Sequence, residues 1–134
     1  MSVRISSAQR QFLLDSAAAN AGEEVCGLLV GTDGAVTELV PARNVARNRA
    51  RSFEIDPATL LATHRTARGA GARVIGHWHS HPNGRPEPSA RDAARATENG
   101  AIWLIIAGGD ISAWAARAGA PGPARFEPVA LEIA

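Results

Sequence analysis

The segment Gly76-His77-Trp78-His79-Ser80-His81-Pro82 constrains this chain more than any other, because it holds three of its four histidines at alternate positions. Side chains alternate along an extended strand, so His77, His79 and His81 share one face and Trp78 points to the other, toward a core. Residues 82–88 then contain three prolines and one glycine and form a stiff loop. Ser89-Ala90-Arg91-Asp92 opens a helix, with Ser89 at the N-cap and an acid three residues on. Cβ atoms tilt toward a helix N-terminus, so Asp92 in the first turn points back at the strand end that carries the histidines. The helix N-terminus also favours its ionised form.

Two imidazoles side by side on one strand face are a natural pair of zinc ligands, since each needs a Zn–N distance of about 2.0–2.1 Å. His79, His81 and Asp92 would supply three protein ligands and leave a fourth position for water. Two plainer readings stand beside this one. Ser89 and Asp92 also make an ordinary capping box, and alternating histidines also suit a polar strand face. His77 lies on the same face, as a packed residue or as a contact behind the ligands.

The rest of the chain interleaves helices and strands. Ser7 is placed to cap a helix from Ala8 to about Ala21, with Phe12, Leu13 and Leu14 on its apolar face. Glu24 to Val30 is an apolar strand closed by Gly31; Thr32-Asp33-Gly34 turns into a second hairpin strand, Val36 to Val40. Phe53-Glu54-Ile55 reads as a short strand, and Asp56-Pro57 as the cap and first position of a helix to about Arg68. Val74 to His79 is the next strand. The helix begun at Ser89 ends near Thr97, Ala101 to Ala107 is a central apolar strand, and Ile111 to Ala116 follows a glycine turn. Arg125 to Ile133 adds one last strand. The pattern predicts an α/β fold of one domain spanning residues 1–134, a sheet covered by helices on more than one side.

Composition removes several functions. The formal net charge is +1 over 134 residues, which gives no global field for nucleic acid or membrane. All the basic residues are arginine, so no lysine is present for Schiff-base or general-base chemistry. One cysteine, Cys26, excludes an intrachain disulfide; it sits in an apolar strand and reads as a small buried hydrophobe. The N-terminus lacks the apolar core of a signal peptide, and no apolar run approaches the ~18 residues of a membrane span. A cytoplasmic location is expected. His64 reads as a helix-face residue. Arg43, Arg47, Arg49 and Arg51 recur in one loop, either solvated or as a dock for an acidic partner.

A histidine, one residue, a histidine, seven residues, a serine, two residues and an aspartate is the signature of the JAMM (MPN+) metallopeptidases. His79, His81, Ser89 and Asp92 fill it without a gap. That family also places a glutamate near the start of its first core strand, often as Glu-x-Cys-Gly, and here Glu24-Val25-Cys26-Gly27 stands in the corresponding order. The chain therefore resembles the compact prokaryotic type of this family over most of its length. The resemblance implies the MPN, cytidine-deaminase-like, three-layer fold. It implies one zinc ion per chain on His79, His81 and Asp92, with Glu24 as general base toward the attacking water and Ser89 as donor to the oxyanion. Glu23 competes for the base role, but the spacing to Cys26-Gly27 selects Glu24.

Family members of this size resemble enzymes that cut after the C-terminal Gly-Gly of ubiquitin-like or sulfur-carrier proteins, whose extended tail could add as a strand leading to the metal. The chain lacks room for the insertions that grip ubiquitin in eukaryotic relatives. Two other readings share the fold. His81 to Ser89 also resembles the motif loop of RadC-type proteins associated with nucleic acid, and a non-catalytic MPN scaffold would have the same architecture without the ligands. The near-neutral charge argues against the first and the complete ligand set against the second. A zinc nucleobase deaminase would need a Pro-Cys-x-x-Cys motif, which a single cysteine cannot supply.

Overall fold

The computed structural model describes residues 1–119 and 122–134. Eight strands form one mixed sheet: β1 (Ser2–Ile5), β2 (Cys26–Thr32), β3 (Ala35–Ala42), β4 (Arg73–Ser80), β5 (Ile102–Ala107), β6 (Asp110–Arg117), β7 (Arg125–Pro128) and β8 (Ala130–Ile133), in the order β7-β6-β5-β4-β2-β3-β1-β8. Three helices accompany them, α1 (Ser7–Ala19), α2 (Pro57–Gly69) and α3 (Ala90–Arg95). The β4–β5 pair is parallel and the β2–β3, β2–β4 and β5–β6 pairs are antiparallel.

The two faces of β4 are used as its alternation requires. Trp78 is 1% exposed and joins the larger apolar cluster with Leu13 of α1, Leu29, Leu104 and Ile106. Phe12 of α1 meets the Trp78 ring edge-on at 6.3 Å. On the other face Cys26 pairs with His79 and Leu28 with His77 across β2–β4. Helix α2 covers this second face: its Ala58, Thr59 and Thr63 line a cavity with Val30 and Val40, and Val40 pairs with Leu28. The result is a sheet between helical layers, the three-layer α/β arrangement expected of an MPN fold.

Several boundaries differ from the sequence reading, each for a local reason. The first helix is capped by Ser6, not Ser7, because Gln9 completes a reciprocal capping box with Ser6. That helix ends at Ala19 rather than Ala21. The first hairpin strand begins at Cys26 and runs through Gly31 to Thr32; Glu24 lies just ahead of it. The turn is Asp33-Gly34, both with positive φ, as a two-residue hairpin connection demands. Phe53 to Ile55 is not a strand: only Ile55 pairs, in an isolated bridge with Asn44. Asp56 occupies the N-cap of α2, but its carboxylate accepts from the Thr59 hydroxyl instead of capping the backbone. Helix α3 stops at Arg95, short of Thr97.

The largest difference lies at the termini. Ser2–Ile5 was not expected as a strand, and the segment 125–133 is two strands, not one. β7 pairs with β6, β8 pairs in parallel with β1, and only Val129 separates them. The two ends of the strand order are thus held one residue apart, so the sheet must curl until its ends meet. Val129 is buried in the larger core cluster, and its N–H donates to the Ala113 carbonyl at 2.9 Å.

Candidate metal centre

The end of β4, the loop after it and the start of α3 converge as the alternation and the capping box predict. His79 Nε2 lies 3.0 Å from His81 Nε2. Asp92 Oδ2 is 3.3 Å from His79 Nε2 and 3.1 Å from His81 Nε2. All three side chains are buried, His79 completely. Ser89 caps α3: its Oγ accepts from the Asp92 N–H at 3.1 Å, while the Ser89 N–H donates to Asp92 Oδ2 at 2.8 Å. The capping box and the histidine contacts are therefore one structure, since the box fixes the carboxylate that meets the imidazoles.

Proton arithmetic shows what this triangle suits. His81 Nδ1 is 2.8 Å from the Arg85 carbonyl, which can only accept, so Nδ1 carries the proton and Nε2 turns its lone pair inward. That lone pair then faces a carboxylate that also only accepts. A proton on His79 Nε2, which faces both acceptors, a second proton on His81, or a cation resolves the conflict. His81 is pushed accordingly: burial lowers its pKa, but the hydrogen bonds to Asp92 and to the Arg85 carbonyl outweigh this and raise it overall. His79, fully buried, moves down because desolvation outweighs its bond to Asp92. Burial would raise Asp92, but the two histidines hold it well below the ordinary carboxylate range. A tetrahedral zinc with ligands at about 2.0–2.1 Å sets ligand atoms about 3.3 Å apart. The three separations here fit that edge, and the imidazole–imidazole–carboxylate donor set suits zinc.

Glu24 completes the cluster. A carboxylate oxygen of Glu24 and one ring nitrogen from each of His79 and His81 lie within 4.8 Å of one another. Two carboxylates thus approach the histidine pair: Asp92 at 3.1 and 3.3 Å, separations that match a ligand edge, and Glu24 within 4.8 Å. Glu24 is 5% exposed, and its Oε1 has no hydrogen-bond partner among the described residues. Burial pushes its pKa up to about 7, with Asp92 adding to the rise and His81, Arg91 and Arg95 opposing it. Its neighbour Glu23 is exposed and pairs with Arg49 at 3.4 Å.

Sequence reasoning did not single out four residues that position these groups. Ser80 Oγ accepts from the Val25 N–H at 2.9 Å and the Ser80 N–H donates to the Val25 carbonyl at 3.0 Å, which ties the segment holding Glu24 to the end of β4. Asn44 Nδ2 donates to the carbonyls of Glu24 and Ser52, at 2.8 and 3.1 Å. Phe53 stacks on His79, ring centroids 4.3 Å apart and 22° from parallel. Arg95 holds the Phe53 carbonyl at 2.8 Å. Their partners lie far away in sequence, so no local pattern marks them. His77 packs against Trp103 at 4.0 Å and Phe53 at 5.3 Å, away from the triangle, and burial lowers its pKa to about 3. Cys26 is buried with its thiol pushed up to about 12 by desolvation, as befits a packing residue. His64 is exposed.

Glu24, His81 and Ser89 open onto a cleft of about 870 Å³, lined also by Ala50 and Arg51 of the loop ahead of α2 and by residues of the turn that runs into α3. No helix among the described residues is long and apolar enough to cross a membrane.

Known proteins match this chain in sequence and in shape. A sequence model of the prokaryotic homologs of the JAB domain matches residues 6–117. A protein of Haloferax volcanii named desampylase is 38% identical over 93 residues, which are 68% of this chain and 67% of that protein. A solution structure of a Desulfitobacterium hafniense protein superposes with a TM-score of 0.78 at 25% identity, covering 98% of this chain and 94% of the other. The crystal structure of a JAB1/MPN domain protein from Archaeoglobus fulgidus shares the fold, with a TM-score of 0.59 at 19% identity over 97% and 96% of the two chains.

Proposed function

Because this chain belongs to the prokaryotic homologs of the JAB domain, we propose that it is a zinc-dependent peptidase or isopeptidase that hydrolyses the amide bond after the C-terminal Gly-Gly of a ubiquitin-like or sulfur-carrier protein. The observation that carries this reading is the buried triangle of His79 Nε2, His81 Nε2 and Asp92 Oδ2, with the Glu24 carboxylate behind it. The similarity to the Haloferax volcanii protein named desampylase supports this reading.

In this reading His79, His81 and Asp92 hold the zinc. Zinc supplies Lewis acidity, which lowers the pKa of a water to about 7 and polarises a carbonyl. Glu24 takes the proton from the attacking water and delivers it to the departing amine. Without metal, burial holds this carboxyl at about 7; a zinc beside it would favour the carboxylate, the form that accepts the proton. Ser89 lies on the cleft wall, and its hydroxyl accepts from Asp92 N–H while keeping its own proton to donate to an oxyanion. The cleft is open enough for an extended tail, which can reach Glu24 and Ser89 without unfolding its own protein.

The test is metal analysis with cleavage of a carrier protein extended past Gly-Gly. The parent is expected to hold one zinc per chain and to cut once, after the second glycine. His79→Ala with His81→Ala should hold none. Glu24→Gln should keep the metal and lose roughly 100-fold or more in kcat, whereas Glu23→Gln should behave as the parent. Full zinc in the double histidine variant, or undiminished turnover in Glu24→Gln, would overturn the assignment.

A further inference from the structure

We propose that the cleft over the metal centre is an acidic-peptide site: Arg51, Arg85 and Arg91, which all line it, select substrates that carry Asp or Glu near the scissile bond. This rests on the hydrolase reading above and adds to it what the substrate must look like. The three guanidiniums belong to two separate segments, the loop ahead of α2 and the turn that runs into α3, yet all line the same cleft as Glu24, His81 and Ser89. Each is exposed, and none has an acidic partner within 4.0 Å among the described residues. Three other arginines do have acidic partners: Arg49 with Glu23, Arg117 with Glu127 and Arg10 with Asp110. Arg91 lies two residues from Ser89, and both line the cleft.

The charge balance of the cleft follows. Its lining holds three arginines against Glu87 and the buried Glu24, in a chain whose overall charge is only +1. A peptide lying in the cleft would meet all three guanidiniums. Carboxylates there gain charge-assisted, planar hydrogen bonds that neutral residues cannot make. Nucleic acid is the poorer match, because phosphates at every nucleotide would also be brought against Glu87 and Glu24.

The probes are two fluorescent dodecapeptides centred on Gly-Gly, one with two Glu on each side and one with Gln in their place, titrated by anisotropy against the zinc-loaded chain. The Glu peptide is expected to bind about 10-fold more tightly at low salt. The gap should close by 0.5 M salt, where screening reaches only a few ångströms. It should also fall to about 2-fold in Arg51→Gln, Arg85→Gln, Arg91→Gln. Should the triple variant not fold, the salt titration of the parent decides. Equal binding of the two peptides would overturn the proposal. So would a gap that survives the arginine changes, which would place the carboxylates on the metal, and so would displacement of the peptide by a lower concentration of a 12-nucleotide single strand. Cleavage is read separately. Selective binding without cleavage would sink the hydrolase reading alone, and cleavage of both peptides at equal kcat/KM would sink the acidic-peptide site alone.

Discussion

Glu24 and Ser89 each carry two physical roles, and substitutions can separate them. Burial raises the Glu24 pKa from 4.5 to about 7, so the metal-free folded chain keeps a proton that the unfolded chain releases. Its contribution to stability is therefore fully present below about pH 4.5, declines as pH rises toward 7, and is flat above. The decline is at most about 3 kcal/mol for this one group. Urea melts in chelator across pH 4.5 to 8 should show the parent losing stability relative to Glu24→Gln over that window; parallel curves would show that the carboxyl is not desolvated. Zinc, by favouring the carboxylate, should shrink the difference. Ser89 is both an N-cap and a cleft hydroxyl. Ser89→Ala should cost about 1 kcal/mol as a lost cap and slow cleavage by roughly 100-fold as a lost oxyanion donor. Ser89→Asp can still cap but sets a negative charge where the oxyanion forms, so it should be folded and inactive. Cleavage by Ser89→Asp at the parent's rate would leave Ser89 as a cap only.

At the scale of elements, the site depends on how β2 and β4 are pinned at their ends. Ser80→Ala leaves the Val25 N–H without its partner, at a cost of about 1–3 kcal/mol if the group stays buried. Because Glu24 is the next residue back, kcat should fall by about 10-fold while zinc content stays near one per chain. Metal analysis and single-turnover cleavage of the same sample check this; loss of zinc in step with activity would mean that Ser80 supports the ligands instead. The same pinning explains which parts of the site were legible in the sequence. His79, His81, Ser89 and Asp92 lie within fourteen residues, on a strand, a stiff loop and a capped helix start whose geometry is local. Glu24 was legible only through its resemblance to a motif, since nothing local brings it to β4. Ser80, Asn44 and Phe53 act through long-range contacts with Val25, Glu24 and His79, which no periodicity announces. Phe53 to Ile55 has the composition of a strand, but its carbonyl is taken by Arg95 and its ring by His79, so tertiary contacts override the propensity.

For the whole molecule, the decisive contact is the closure of the sheet by its last strands. The sequence suggested one strand at 125–133 because its residue types suit an extended chain. It did not show that the first half joins β6 and the second half β1, because register and partner are set by the rest of the sheet. Val129 sits at that junction, buried against the face of the sheet opposite the histidines. Val129→Asp puts an unpaired carboxylate into that core and should lower stability by roughly 3 kcal/mol or more. Ile133→Asp, four residues on and 45% exposed, should stay within about 0.5 kcal/mol of the parent. The metal centre lies across the sheet and is built from β4, the turn after it and α3, so the folded fraction of Val129→Asp should still carry one zinc. Thermal melts with metal analysis of the folded fraction make the comparison. Equal melting of the two variants would mean that the sheet does not rely on its terminal strands. Zinc lost from folded Val129→Asp would mean that closure of the sheet, and not only the local capping box, sets the distances among His79, His81 and Asp92.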